Sequence, residues 1–226
     1  MLNKIGYILY LIFIVSWFLH FTSRIHILGT IRFDLILIII LLLLTVASKE
    51  EIEYAFKKHK STVYIILLIL YVFMTIPFVE WPGSVLNNIL EWFKAVIFFF
   101  FTVSFISTEK RLKTFMYVFM LVQIIRVLEP LYMNITQGYW GSYASMRDWE
   151  YMNRLAGAPH DYVNPNGLAF VILMIIPYLY NFKELTISYF MMFIILSPAL
   201  IYALMLTGSR SGLIGLVVVL IGILWQ

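Results

Sequence analysis

Arg210 lies in a short polar segment, TGSRSG at residues 207–212, between two long apolar runs. A guanidinium group stays protonated in poorly hydrated surroundings and binds phosphate or carboxylate through two parallel hydrogen bonds. Ser209 and Ser211 supply hydroxyl groups that can cap a helix, and the first turn of a helix presents backbone N–H groups to anions. The segment therefore predicts a phosphate site at a helix start. The alternative is a polar turn whose arginine only reaches the headgroup layer of a membrane.

The composition is typical of a membrane protein. Hydrophobic residues make up 62% of the chain, charged residues 12%, and the mean hydropathy is +0.92. A soluble core of 226 residues cannot bury that much apolar surface. Apolar stretches long enough to cross a bilayer, or nearly so, recur at about 5–22, 33–47, 62–79, 89–107, 115–133, 166–182, 186–206 and 210–226. We therefore predict an all-α, polytopic helical bundle of about eight transmembrane helices, with residues 1–226 as a single membrane domain.

The basic residues indicate the orientation of these spans. With a cytoplasmic N-terminus, eight of nine cations on the inner side are lysine, whereas six of seven on the outer side are arginine. The outer set is Arg24, Arg32, Lys94, Arg126, Arg147, Arg154 and Arg210. Lysine is enough to retain a loop on the inner side, since only its charge is needed, so the excess of arginine on the outer side favours an anionic ligand there. For any single outer arginine the alternative is snorkelling, in which the side chain only reaches the headgroup layer. Arg32, Lys94 and Arg210 lie near helix starts, where the helix dipole disfavours a cation unless an anion is bound.

The longest polar stretch, residues 134–165, is predicted as an outer loop. Its aromatic and amide side chains are suited to a glycan, because sugar C–H faces pack on rings while hydroxyls seek polar partners. The candidates for glycan binding are Tyr139, Trp140, Trp149, Asn164 and Asn166. An aromatic belt in the headgroup region is the alternative. Arg147 and Arg154 would lie about two turns apart on one helix and join the same anion site, unless Arg147 pairs with a neighbouring acid.

Two further groups in the outer segments carry charge. His160 and Asp161 are the candidate catalytic residues, because a histidine can remove a hydroxyl proton near neutral pH; a loop bracketed by Pro159 and Pro165 is the alternative reading. Arg126 and Glu129, one helical turn apart, are expected to pair. We predict no metal site, since the chain has no cysteine and its four histidines lack ligand spacing.

Two motifs carry a resemblance to a known family. TGSRSGLIGL at 207–216 resembles the signature that opens a late transmembrane helix in the bacterial O-antigen ligase and O-antigen polymerase superfamily, and NPNGLAF at 164–170 is similar to the asparagine-rich helix start upstream of it. The resemblance implies a multi-pass glycosyltransferase of the bacterial inner membrane that needs no cofactor or metal. Its donor would be a polyprenyl-diphosphate-linked glycan and its acceptor a hydroxyl of a glycolipid, glycan or protein; nucleic acid is not expected as a partner.

The resemblance also assigns roles. Arg210 would contact the diphosphate, with Ser209, Ser211, Arg147, Arg154, Arg32 and Lys94 as further candidates for that site. Family members continue past the signature into a large outer loop with residues implicated in transfer, so we expect this chain to be the N-terminal part of such a protein. The alternatives are an inactive fragment, or a transporter or flippase for anionic glycolipids, although we find neither the internal repeat nor the mid-membrane charges typical of transporters.

Overall fold

The computed structural model describes residues 2–47, 60–147, 150–182 and 187–225, and this part of the chain is mostly helical. The helices are α1 (Leu2–Phe18), α2 (Phe21–Arg24), α3 (His26–Thr30), α4 (Phe33–Ala47), α5 (Lys60–Thr75, followed by a 3-10 turn at Ile76–Phe78), α6 (Pro82–Phe105), α7 (Glu109–Gln137), α8 (Pro165–Phe182), α9 (Ile187–Leu206) and α10 (Arg210–Leu224). The strands are β1 (Gly141–Arg147) and β2 (Glu150–Leu155). The predicted helical class is thus confirmed, with one hairpin added.

Length and composition identify two helices that can cross a membrane. Within the described ranges these are Ser61–Phe78, of 18 residues, and Glu109–Gln137, of 29 residues. Other apolar helices have uninterrupted apolar segments of 10–17 residues. An association with a membrane follows from these two helices, while a bundle of about eight spans stays a prediction.

The chain divides into two compact units: residues 1–14 with 32–116, and residues 15–31 with 117–226. The first unit has an aromatic core, in which Tyr10 stacks on Phe115 with ring centroids 5.8 Å apart and Phe13 stacks on Phe98 at 5.0 Å. Arg111, the one arginine predicted on the inner side, donates to the carbonyl oxygen of Phe105 at 3.0 Å. Its guanidinium group therefore supplies a hydrogen-bond donor to one of the last backbone carbonyl groups of α6, which have no partner within the helix.

The second unit is built around α8. Buried aliphatic side chains of α7, α8 and α9 form one cluster, which includes Val127, Leu168, Ile172, Leu200 and Leu204. Glycine at position 212 allows α10 to approach α8 closely, since an added Cβ would lie 2.8 Å from the Cβ of Ala169. The predicted apolar stretches therefore form helices that pack against one another in this unit.

The hairpin occupies the predicted outer loop. α7 continues to Gln137, and Gly138 and Gly141 then adopt positive φ angles of 68° and 78°, which a helix does not allow. β1 and β2 pair antiparallel, with Ser142 opposite Arg154. The expectation that Arg147 and Arg154 lie two turns apart on one helix is therefore wrong, because the two residues lie on opposite strands of a hairpin.

We expect Gly212→Ala to destabilise the second unit by about 1–3 kcal/mol, because the new methyl group overpacks the contact between α8 and α10. Thermal unfolding of the purified protein in detergent measures the effect, and Ala169→Gly in the same chain should restore part of the loss. Gly222→Ala in the same helix is the matched control, since its Cβ would meet nothing within 4 Å. Equal unfolding temperatures for the two single variants would contradict the packing described above.

Candidate anion-binding site

The turn before α10 is organised by its own side chains. Gly208 has a φ of 58°, a left-handed conformation that favours glycine. The Ser209 hydroxyl is buried and accepts a hydrogen bond from the backbone N–H of Gly212 at 3.1 Å, so it is the N-cap of the helix. Arg210 and Ser211 are exposed at the first two helical positions. The predicted cap is confirmed, and Ser209 uses its hydroxyl to hold the helix start.

The start of α8 uses an asparagine in the same way. The Asn164 side-chain oxygen accepts a hydrogen bond from the backbone N–H of Gly167 at 2.8 Å, and Pro165 occupies the first helical position. Asn166 is exposed, and its side-chain oxygen accepts a hydrogen bond from Arg154 at 2.9 Å. Both predicted glycan-binding asparagines therefore already use one amide oxygen within the chain.

Arg154 connects these two helix starts. Its Nε donates to the carbonyl oxygen of Thr207 at 2.8 Å, and its Nη2 donates to Asn166. Both acceptors are neutral, and within the described ranges Nη1 has no hydrogen-bond partner and the guanidinium group has no carboxylate partner. The side chain is half-buried. A positive charge that is partly removed from water and not matched by an acid is costly.

Two other arginines of this unit are neutralised by the chain itself. Arg24 binds Glu129 through two hydrogen bonds of 2.5 Å. Arg126 binds Asp161 through Nε and Nη2, at 2.7 and 2.9 Å, and donates from Nη1 to Gln123 at 2.9 Å. The predicted pair of Arg126 with Glu129 is wrong, because both residues have better-placed partners from other segments. The excess of outer arginine thus reflects internal ion pairs as well as any ligand.

Asp161 lies at the centre of a buried polar cluster. Burial raises the pKa of a carboxyl group, but the His20 ring and the Arg126 guanidinium stabilise the anion and lower the pKa of Asp161 to about 2. His20 Nε2 lies 3.3 Å from Asp161 Oδ1, without the geometry of a hydrogen bond. His160 is exposed and contacts no partner through a hydrogen bond or ion pair in the described part of the chain. The histidine next to Asp161 in space is therefore His20, not its neighbour in sequence.

A cavity of about 280 Å³ opens beside this cluster. It is lined by Tyr139, Gly141, Ser142, Ala156, Gly157, Ala158, Pro159, Asp161, Tyr162, Val163, Asn164 and Pro165. Tyr139 donates its hydroxyl proton to the carbonyl oxygen of Gly157 at 2.7 Å. Burial and the nearby charges of Asp161 and Glu129 raise the pKa of Tyr139, so this hydroxyl stays protonated near neutral pH. Two of the predicted glycan residues, Tyr139 and Asn164, thus line one cavity.

The remaining predicted residues are placed as follows. Trp140 is half-buried at the start of the hairpin and does not line the cavity, and Arg32 is exposed in the first unit with a left-handed φ of 52°. Trp149 lies outside the described residues, and so do the side chains of Lys94 in α6 and Arg147 at the end of β1. Among the described residues no three histidine or acidic side chains cluster in a way that could hold a metal ion.

Comparison with known proteins finds no matching family, no similar characterised sequence and no similar solved structure.

Three groups that contact the charged residues of this unit were not predicted from the sequence: His20, Gln123 and the carbonyl oxygen of Thr207. His20 lies in the turn between α1 and α2, where it is the N-cap of α2, and it has a left-handed conformation with a φ of 53°, which histidine tolerates better than most residues. No local pattern links it to Asp161.

We expect Asp161→Asn to destabilise the second unit by about 3–5 kcal/mol, since it leaves Arg126 buried without a counter-charge. Because the pKa of Asp161 falls from 3.8 to about 2 on folding, its contribution is present above about pH 4 and is lost as the pH falls towards 2. The gap in unfolding temperature between wild type and variant should therefore narrow between pH 5 and pH 2.5. Glu109→Gln, at an exposed pair with Lys113, is the control. A gap that does not change with pH would contradict this assignment.

Proposed function

We propose that this chain is a multi-pass membrane protein that binds the diphosphate of a polyprenyl-linked glycan and transfers the glycan to an acceptor hydroxyl. The reaction would take place on the outer face of a bacterial inner membrane, as in O-antigen ligases and polymerases. The observation that carries the proposal is Arg154, whose guanidinium group is held by two neutral oxygen atoms beside the start of α10.

The surface of the helices supports the membrane part of the proposal. Large apolar side chains are widely exposed on α4, α5 and α10, among them Leu43 at 65%, Met74 at 74% and Ile214 at 69%. Soluble proteins rarely expose continuous apolar surface of this kind. In a hydrocarbon environment this exposure of apolar side chains carries no free-energy cost. The further helices of 15 to 24 residues would then cross the membrane with different tilts and lengths.

The arginines near the start of α10 support a diphosphate as the ligand. Arg154 donates to the carbonyl oxygen of Thr207 just before α10, and Arg210 is the first residue of that helix, whose first N–H groups lack intrahelical partners. Neither arginine has a carboxylate partner in the described part of the chain. Two guanidinium groups and a helix start are suited to a diphosphate, which carries more charge and more acceptor oxygens than a single carboxylate.

The same arrangement supports transfer. As the acceptor oxygen attacks the anomeric carbon, the bond to the diphosphate breaks and the departing group gains negative charge. Arginines already in position stabilise that charge most in the transition state. His160 is the candidate that takes the hydroxyl proton, while Asp161 stays ionised in its pair with Arg126.

Arg154→Lys keeps the charge but replaces the planar fork with one nitrogen, which cannot occupy the positions of both Nε and Nη2, so we expect undecaprenyl diphosphate to bind about 10- to 100-fold more weakly. Arg210→Lys should weaken binding as well, because the bidentate fork is lost. Arg24→Lys is the matched control, since the same change falls on an arginine already neutralised by Glu129. Affinities are measured in nanodiscs. Equal affinity in all variants would refute the site.

Transfer is separated from transport in proteoliposomes that contain a labelled lipid-linked glycan and an acceptor. We expect a labelled acceptor product that Arg154→Lys reduces and Arg24→Lys does not. Movement of the labelled lipid between leaflets without any product would instead identify a transporter.

A further inference from the structure

The cavity beside Asp161 has the size of a small-ligand site. Its volume of about 280 Å³ is at the lower end of the ~300–1,000 Å³ typical of ligand pockets. It is formed by the start of the hairpin, the turn that follows β2 and the residues that begin α8. These dimensions fit a single sugar residue rather than a long oligosaccharide.

The hairpin register places this cavity next to the candidate anion site. Ser142, which lines the cavity, is the cross-strand partner of Arg154. Directly opposite residues of an antiparallel pair have side chains on the same face, with Cβ atoms about 4.5–5.5 Å apart. Asn164 lines the cavity as well, and Asn166, two residues later, binds Arg154. A sugar attached to a phosphate at Arg154 would therefore lie beside the cavity.

The lining offers what an uncharged sugar needs. The Tyr139 ring is fixed against the wall by its hydrogen bond to Gly157. The hydroxyls of Ser142 and Tyr162 have no hydrogen-bond partner within the described ranges, and the Asn164 amide nitrogen is likewise free to donate. Hydroxyl and amide groups beside an aromatic ring match the alternating C–H faces and hydroxyls of a sugar.

The charges of the residues that line the cavity disfavour the binding of an acidic sugar. None of the lining residues is basic, and the one charged group among them is the carboxylate of Asp161. That carboxylate is already neutralised by Arg126, so the lining leaves no cation for a second acid. A sugar carboxylate would lose hydration there without gaining a counter-charge.

We propose that this cavity binds the first sugar residue attached to the lipid diphosphate, and that it selects an uncharged sugar over a uronic acid. The proposal rests on the proposed function, since the phosphate at Arg154 is what places the sugar. The proposal adds a substrate class to that function, namely lipid-linked glycans in which the sugar attached to the diphosphate is neutral.

The test compares three lipids in nanodiscs: undecaprenyl diphosphate, the same lipid carrying one neutral hexose, and the same lipid carrying one hexuronic acid. We expect the hexose to raise affinity about tenfold over the bare lipid, as one or two net hydrogen bonds would. The hexuronic acid should not raise it. The double variant Ser142→Ala, Tyr162→Ala should bind the hexose lipid no better than the bare lipid, and its affinity for the bare lipid should be unchanged.

Tyr132→Ala is the control, because Tyr132 is 65% exposed on α7 and lies outside the cavity lining. It should keep the tenfold gain. If the bare lipid binds but the hexose adds nothing, or the hexuronic acid adds as much, the cavity proposal fails while the diphosphate site stands. If no lipid binds to the wild type, both the site and the cavity proposal are overturned.

Discussion

A half-buried guanidinium group held by two neutral oxygen atoms organises the candidate site. Arg154 reaches from β2 to the carbonyl oxygen of Thr207 and the side chain of Asn166, and so joins the starts of α8 and α10. Backbone carbonyl and amide oxygens fix the orientation of the fork without cancelling its charge. The hairpin, the two caps and the close contact of Gly212 with Ala169 all serve to bring these groups together.

Two other arginines of the second unit show the contrast. Arg24 and Arg126 each meet a carboxylate through two hydrogen bonds, and their charges are thereby balanced within the chain. Arginine rather than lysine suits these pairs because the planar fork matches the carboxylate. For Arg24 and Arg126 the use of arginine therefore has a structural cause, which the partner of each guanidinium group reveals.

The features that depend on neighbouring residues were predictable from the sequence. Long apolar stretches predicted the long helices, and Ser209 before an apolar run predicted a cap like the one that is observed. The hairpin was missed because the alternation of residues 141–155 is weak. His160 was predicted to act together with Asp161 because the two residues are adjacent in the sequence. In the structure Asp161 pairs instead with Arg126, which is 35 residues away. Such pairings depend on how helices pack, and a single sequence does not encode them in any local pattern.

A structure of the protein in nanodiscs with undecaprenyl diphosphate would show directly whether Arg154 and the start of α10 hold a diphosphate. We expect phosphate oxygens within hydrogen-bond distance of Arg154 Nη1 and of the first backbone N–H groups of α10, with the bonds of Arg154 to Thr207 and Asn166 unchanged. Diphosphate density elsewhere, with Arg154 facing only water, would show that Arg154 does not bind it.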